Sequence, residues 1–149
     1  MSRLFQDFVQ RSFKYLFISL ISFSVSALDD IDLTNYLEEI QIANTFEERK
    51  RGLMYKKKIP DNFGMFFEWD FVKTQCMWMK NTPVALNVAY IDSKGKIIDI
   101  YDMVPLSRAS ICSSAPVLYA LEVNKGWFKV NDINIGDTIN LERSLRNDN

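Results

Sequence analysis

Histidine is missing from all 149 residues. Its absence removes a Ser-His-Asp triad, a Cys-His nucleophile pair, a histidine metal ligand and any switch centred on an unperturbed imidazole. An excess of one charge is missing too. With 18 basic and 19 acidic side chains the formal net charge is −1, so there is no basic surplus to neutralise phosphates and no nucleic-acid partner is expected. No internal repeat and no low-complexity tract occurs. The two cysteines lie 36 positions apart, which is not a zinc pattern, and Asp92-Ser-Lys-Gly95 lacks the acidic periodicity of a calcium loop. Neither metal nor cofactor is expected. What is present is 48% hydrophobic and 25% charged residues, a globular composition at a length that allows one ordinary domain.

The N-terminus carries Arg3, Arg11 and Lys14, then an apolar run from Tyr15 to Val25 and the small residues Ser26 and Ala27. A basic start, an apolar stretch and small residues at −3 and −1 (Val25, Ala27) are the parts of a secretory signal peptide. The run is about half of the roughly 20 apolar residues that a spanning helix needs, and it contains serines. Residues 1–27 are therefore read as a signal peptide, leaving an exported, periplasmic or secreted protein with no membrane span after cleavage; an uncleaved anchor and a cytosolic amphipathic helix are the alternatives. Cleavage after Ala27 removes three basic residues and Asp7, so the net charge moves from −1 to −3. No cysteine lies near the cut to carry a lipid.

Along the mature chain, residues 28–37 are acidic and weakly patterned, and are expected to form a flexible lead-in. Residues 38–43 alternate as a short strand, with Ile40 and Ile42 on one face. Thr45-Phe-Glu-Glu48 has the form of a capping box opening a helix to about Met54. Gly52 within that helix costs about 1 kcal/mol against alanine, which implies close backbone packing there. From Phe63 the period changes to two, with strands expected over 64–68, 74–80, 87–92 and 96–102. Asp92-Ser-Lys-Gly95 is a hairpin turn with glycine where positive φ is wanted. A polar loop over 104–115 precedes a strand over 117–124, a helical turn near Gly126–Val130, a closing strand over 136–141 and a loose charged tail over 143–149. The expected globular domain is 38–142, a monomer of α+β class: a compact, mainly antiparallel, barrel-like sheet with one or two short helices.

Three groups of residues could carry chemistry. The first is Cys76-Met-Trp-Met-Lys-Asn-Thr-Pro83, where alternation places Cys76, Trp78 and Lys80 on one strand face. Trp78, Lys80 and Asn81 could wall a polar ligand pocket, with Trp78 stacking and Lys80 pairing an anion; alternatively Trp78 is core and Lys80 caps a carboxylate. The second is Glu122, a carboxylate inside an otherwise apolar strand. A lone buried charge costs several kcal/mol, so Glu122 either pairs with Lys80 or Lys125 or is an acid of raised pKa. The third is the pair Cys76 and Cys112. An even count in an exported domain suggests a disulfide, worth about 3–4 kcal/mol on the chain-entropy model; inert thiols and a reactive thiol are the alternatives. The run Lys56-Lys-Lys58 is a solvated turn.

Taken in order, Gly52-Leu-Met54, Gly64-Met-Phe-Phe67, Trp78-Met-Lys-Asn-Thr82, the hairpin at Asp92–Gly95 followed by Lys96-Ile-Ile98, Leu121-Glu122, Gly126 and Gly136-Asp137 resemble the domain-of-unknown-function family 192. The resemblance covers about residues 38–142. It implies a small single domain of mixed α+β fold, often behind an export signal, and a shared surface, but no reaction. Members commonly carry an aspartate where this chain has Asn87 after Leu86. Asparagine keeps the hydrogen bonding and loses the charge, so a binding or turn role survives the change while a catalytic or metal role would not. The basic residue that often follows Gly-Leu-Met is matched loosely, by Lys56 after Tyr55.

These readings converge on a non-catalytic exported domain that binds a small polar ligand, or an envelope protein, through Trp78, Lys80, Asn81, Asn87 and Glu122. An envelope hydrolase using Glu122 as general acid or base, and a scaffold or accessory protein, are the readings of other classes.

Overall fold

The computed structural model describes residues 30–145; the proposed signal peptide, 1–27, lies outside them. A 3-10 turn (Leu33–Asn35) leads into β1 (Glu39–Ala43), α1 (Phe46–Arg51), β2 (Phe63–Lys73), β3 (Cys76–Met77), β4 (Leu86–Ile91) and β5 (Ile97–Met103). The chain continues through β6 (Ile111–Cys112), β7 (Val117–Asn124), α2 (Trp127–Val130) and α3 (Leu141–Ser144). Five strands form one sheet in the order β1-β2-β7-β4-β5, and β3 and β6 pair as a separate two-stranded ribbon. β1 runs parallel to β2; the other neighbours in the sheet are antiparallel. The class is α+β as expected, but the sheet is open and not closed into a barrel, because its outer strands β1 and β5 do not pair with each other.

Both faces of the central strands are covered, which is why β4 buries all six of its side chains and shows no clean alternation. One face holds Phe63, Met65, Phe67, Val88, Tyr90 and Ala120 against Leu53 and Met79. The other holds Phe66, Ala89, Ile91, Leu121 and Val123 against Leu33, Leu37, Trp127, Phe128 and Ile139. The second face corrects the lead-in expected over 28–37. In its described part Leu33 and Leu37 are buried, and the Leu33 amide donates to Ser144 Oγ on α3 at 2.9 Å. The space they use is kept open by Gly64, where an added Cβ would lie 2.7 Å from Leu37 Cδ1. A weakly patterned segment is thus recruited by two leucines. At the other end, the expected strand over 136–141 is reduced to single bridges, Lys96 with Thr138 and Ile31 with Ile139. The residues from Leu141 to Ser144, partly assigned to the loose tail, form α3, whose Asn140 cap accepts from the Arg143 amide.

The capping box is formed: Thr45 Oγ1 accepts from the Glu48 amide at 3.3 Å and Glu48 Oε2 from the Thr45 amide at 3.0 Å, which holds the Glu48 carboxyl below its ordinary range. The helix ends earlier than expected, at Arg51, because Gly52 adopts φ 46° and stops it. No residue of α1 is fully buried. It is held instead by Arg49, whose guanidinium donates to the Asn44 carbonyl and, at 2.7 Å, to the Glu68 carbonyl.

The strand expected over 74–80 is the main local correction. Only Cys76–Met77 is extended. Asn81 turns at φ 57°, so Trp78 and Lys80 lie in a bend and share no strand face. β2 steps from Glu68 to Lys73 while β7 steps only from Tyr119 to Val117. Trp69, Asp70 and Phe71 lie in this irregular stretch of β2 and line the same opening as residues of α1.

Candidate functional site

β7 places Glu122 between Met65 of β2 and Val88 of β4 in the cross-strand register. Its carboxyl therefore emerges on the face shared with Phe67, Tyr90 and Ala120. Glu122 is 3% exposed. Among the described residues no hydrogen bond or ion pair reaches the carboxylate: Lys125 pairs with Asp102 at 2.8 Å and Lys80 sits over the Trp78 ring at 5.2 Å. Both cations proposed as structural partners are engaged elsewhere. Desolvation, with nothing to offset it, pushes the Glu122 carboxyl up to about 8, so at neutral pH it is mostly a neutral acid and a hydrogen-bond donor.

Glu122 lines a pocket of about 390 Å³ bounded by α1, the irregular end of β2 and β3 with its flanking residues. That volume falls at the lower end of ordinary small-molecule sites, roughly 300–1,000 Å³. The buried part of its lining includes Leu53, Phe67, Gln75, Thr82 and Glu122. Gln75 is 5% exposed, and its Nε2 is a buried donor without a partner. Its backbone is fixed, the amide donating to Ser113 Oγ at 3.1 Å and the carbonyl accepting from the Ser113 amide at 2.9 Å. Beside it the Cys76–Cys112 disulfide joins the two strands of the ribbon, and Tyr90 Oη donates to the Ile111 carbonyl at 2.6 Å, tying the ribbon to β4. The wall carrying Gln75 is thus held rigidly.

The outer lining is aromatic and cationic. Trp69 stacks on Phe67 with ring centroids 6.1 Å apart. Trp78 is 44% exposed and Phe46 and Phe71 more so, and all three line the opening. Arg49 is paired with Asp70 at 3.3 Å, whereas Lys50, Arg51 and Lys73 on the same lining form no ion pair among the described residues.

Of the five ligand-binding residues read from the sequence, Trp78 and Glu122 line this pocket. Lys80 adjoins it only through Trp78. Asn81 donates from Nδ2 to Tyr55 Oη at 2.9 Å while its carbonyl accepts from the Tyr55 amide at 2.7 Å, a turn-to-turn tie. Asn87 lies away from the pocket: Nδ2 donates to Asp102 Oδ1 at 2.6 Å and Oδ1 accepts from the Gly126 amide at 2.6 Å. Lys125 first, and then Asn87, holds the Asp102 carboxyl below its ordinary range. Sequence reading missed Gln75, Thr82, Arg49 and Trp69. For Gln75 the one available signal was its place beside a cysteine; nothing in the pattern marks a carboxamide as buried and unpaired.

The family model of DUF192, described as uncharacterized ACR, matches residues 30–141. No curated protein matches the chain. Among solved structures, a candidate transcription regulator from Sinorhizobium meliloti 1021 is 37% identical with a TM-score of 0.65, over 66% of this chain and 78% of its own. A protein of unknown function from Novosphingobium aromaticivorans DSM 12444 is 27% identical with a TM-score of 0.64, over 66% and 71%. The matched region takes in every strand among the described residues, the capped helix and the Glu122 pocket, and on that ground the chain belongs to the DUF192 family.

Proposed function

We propose that this protein is an exported, non-catalytic domain that binds a small polar ligand in the Glu122 pocket. One observation carries the reading: Gln75 Nε2 is a buried donor without a partner, the buried Glu122 carboxyl forms no hydrogen bond or ion pair among the described residues, and both residues line the same opening. Buried polar groups are nearly always satisfied, and leaving one unpaired costs about 1–3 kcal/mol. A cost of that size is recovered when a ligand supplies the missing hydrogen bonds. Export is supported by the composition of residues 1–27 and by the disulfide, a bond that persists in oxidising compartments. A cut after Ala27 leaves Leu33 and Leu37 in the mature chain.

A thermal-shift screen of sugars, nucleosides, amino acids and aromatic acids tests the binding. Hits should raise the melting temperature of the parent and leave a folded Glu122→Ala variant unmoved. If no compound in any of these classes shifts the parent, or if hits shift the variant equally, the pocket assignment fails. The raised proton affinity of Glu122 also favours a second reading, an envelope hydrolase with Glu122 as general acid. The other carboxylate lining the pocket, Asp70, is committed to Arg49, so the pair of free carboxylates usual in glycoside hydrolysis is not assembled. Turnover of a cell-wall glycan, abolished in Glu122→Gln, would favour the enzyme.

A further inference from the structure

The polarity of the pocket constrains its ligand further. At the buried end two lining groups can donate near neutral pH: Gln75 Nε2, which has no partner, and the Glu122 carboxyl, whose proton desolvation retains and whose other oxygen can accept. Two donors call for an acceptor oxygen. A carboxylate placed there would meet the desolvation that keeps Glu122 itself protonated. A neutral carbonyl oxygen accepts from both groups without that cost. At the exposed end the balance is reversed. Four cations line the pocket, Arg49, Lys50, Arg51 and Lys73, against the single carboxylate of Asp70, in a chain whose formal net charge is −1. Positive charge concentrated at one opening of an otherwise acidic molecule attracts anions and orients them as they enter. Between the two ends the walls are aromatic, with the stacked Phe67–Trp69 pair on one side and the Trp78 ring, backed by Lys80, among the exposed lining.

Resting on the reading of this pocket as a binding site, we propose that its ligand is a small organic anion with a planar apolar body, bound with a carbonyl oxygen at the Glu122–Gln75 end and its negative charge at the mouth among Lys50, Arg51 and Lys73. The orientation makes binding depend on the proton of Glu122. The groups that face this carboxyl are apolar across the sheet (Met65 and Val88), apart from the Tyr90 phenol on β4, which burial keeps protonated. Asp99 of β5 lies beyond Tyr90, and the Arg49–Asp70 pair, Lys50, Arg51 and Lys73 face it from α1 and β2.

The test uses three probes that share one ring and one ketone and carry an anionic, a neutral or a cationic group opposite it: 4-acetylbenzoate, 4-acetylbenzamide and 4-acetylbenzylamine. Calorimetric titration at pH 6.5 should show the carboxylate binding about tenfold or more tightly than the amide, with the amine weakest. Lys50→Glu combined with Lys73→Glu, both on the exposed rim, should abolish that preference. Raising the pH to 9.5 should weaken the carboxylate about tenfold or more in the parent and leave Glu122→Gln, which keeps a donor at every pH, unchanged. Equal binding of all three probes, or preference for the amine, overturns the anion while leaving the binding site intact. Carboxylate binding that ignores pH in the parent overturns the carbonyl-inward orientation. If none of the three binds, this proposal is wrong, and the pocket reading falls with it only when the broader thermal-shift screen is also empty.

Discussion

Glu122 shows how a single side chain can set the pH dependence of a whole fold. Its pKa rises from 4.5 in the unfolded chain to about 8 in the folded protein, so the folded state holds the proton more tightly. The stability this group allows is fully present below pH 4.5 and is lost progressively as pH rises towards 8 and beyond. The loss is on the order of 5 kcal/mol at about 1.4 kcal/mol per pH unit. Glu122→Gln removes the ionisation. Urea denaturation should find the variant close to the parent at pH 4.5 and clearly more stable at pH 8.5; a parent as stable at pH 8.5 as at pH 5, once other groups are accounted for by the variant, would show that Glu122 has a partner. Asn87 makes the opposite case, a polar side chain with every need met. Exchanging it for aspartate places a second carboxylate against Asp102, across a contact now 2.6 Å long. Asn87→Asp should cost about 1–3 kcal/mol. Asp102→Asn should restore much of that loss, since the Lys125 pair it sacrifices is exposed and worth little. Additive losses in the double variant would contradict the direct contact.

At the scale of elements, the ribbon of β3 and β6 is too short to stand alone, with two residues in each strand. Its covalent link and its hydrogen bonds to Gln75 and Tyr90 replace the packing that a longer strand would provide. Replacing both cysteines by serine should lower stability by about 3–4 kcal/mol on the chain-entropy model. The binding wall should loosen more than the sheet: hydrogen exchange should accelerate around Gln75–Met77 and Ile111–Ser113 while β4 and β7 stay protected. Uniform acceleration across β4 and β7 would mean the ribbon does not move as a separate unit. The capped helix was legible from Thr45-Phe-Glu-Glu48 because a capping box is a contact between residues three apart. The end of the ribbon strand after Met77 was not. Trp78-Met-Lys alternates like a strand, and what bends it is the left-handed turn at Asn81, locked by Tyr55 from a distant segment.

For the molecule as a whole, the two-faced sheet makes both of its coverings necessary. The strands β2, β7 and β4 bury apolar residues above and below, so a domain cut to 38–142 would expose Phe66, Leu121 and Val123 where Leu33 and Leu37 now lie. Leu33→Ala should cost about 2–5 kcal/mol, and a chain beginning at residue 38 should melt well below one beginning at residue 28. Equal melting temperatures would return the segment to the flexible lead-in suggested by its composition. A short segment that closes over a sheet is hard to read from sequence, because Leu33 and Leu37 among polar residues have no period of their own; the surface they cover gives them a place.

The sequence by itself determined the α+β class, most of the strand positions, the capped helix, the exclusion of imidazole chemistry and the oddity of an acid at Glu122. These rest on short-range physics: side-chain periodicity, turn conformations, contacts between residues three or four apart, and composition. Tertiary structure decided what those residues meet. It engaged Lys80 and Lys125 elsewhere and so left Glu122 unpaired; it brought Gln75 to the same opening; it turned Asn81 and Asn87 into structural ties; and it opened the expected barrel by placing β1 parallel at an edge. Whether a buried polar group is satisfied depends on strand register and on loops distant in sequence, and no local pattern encodes that. The missing histidines therefore sharpen the interest of Glu122, since a proton that changes hands near neutral pH in this pocket has a carboxyl to carry it, raised by burial into the range that imidazole would otherwise occupy.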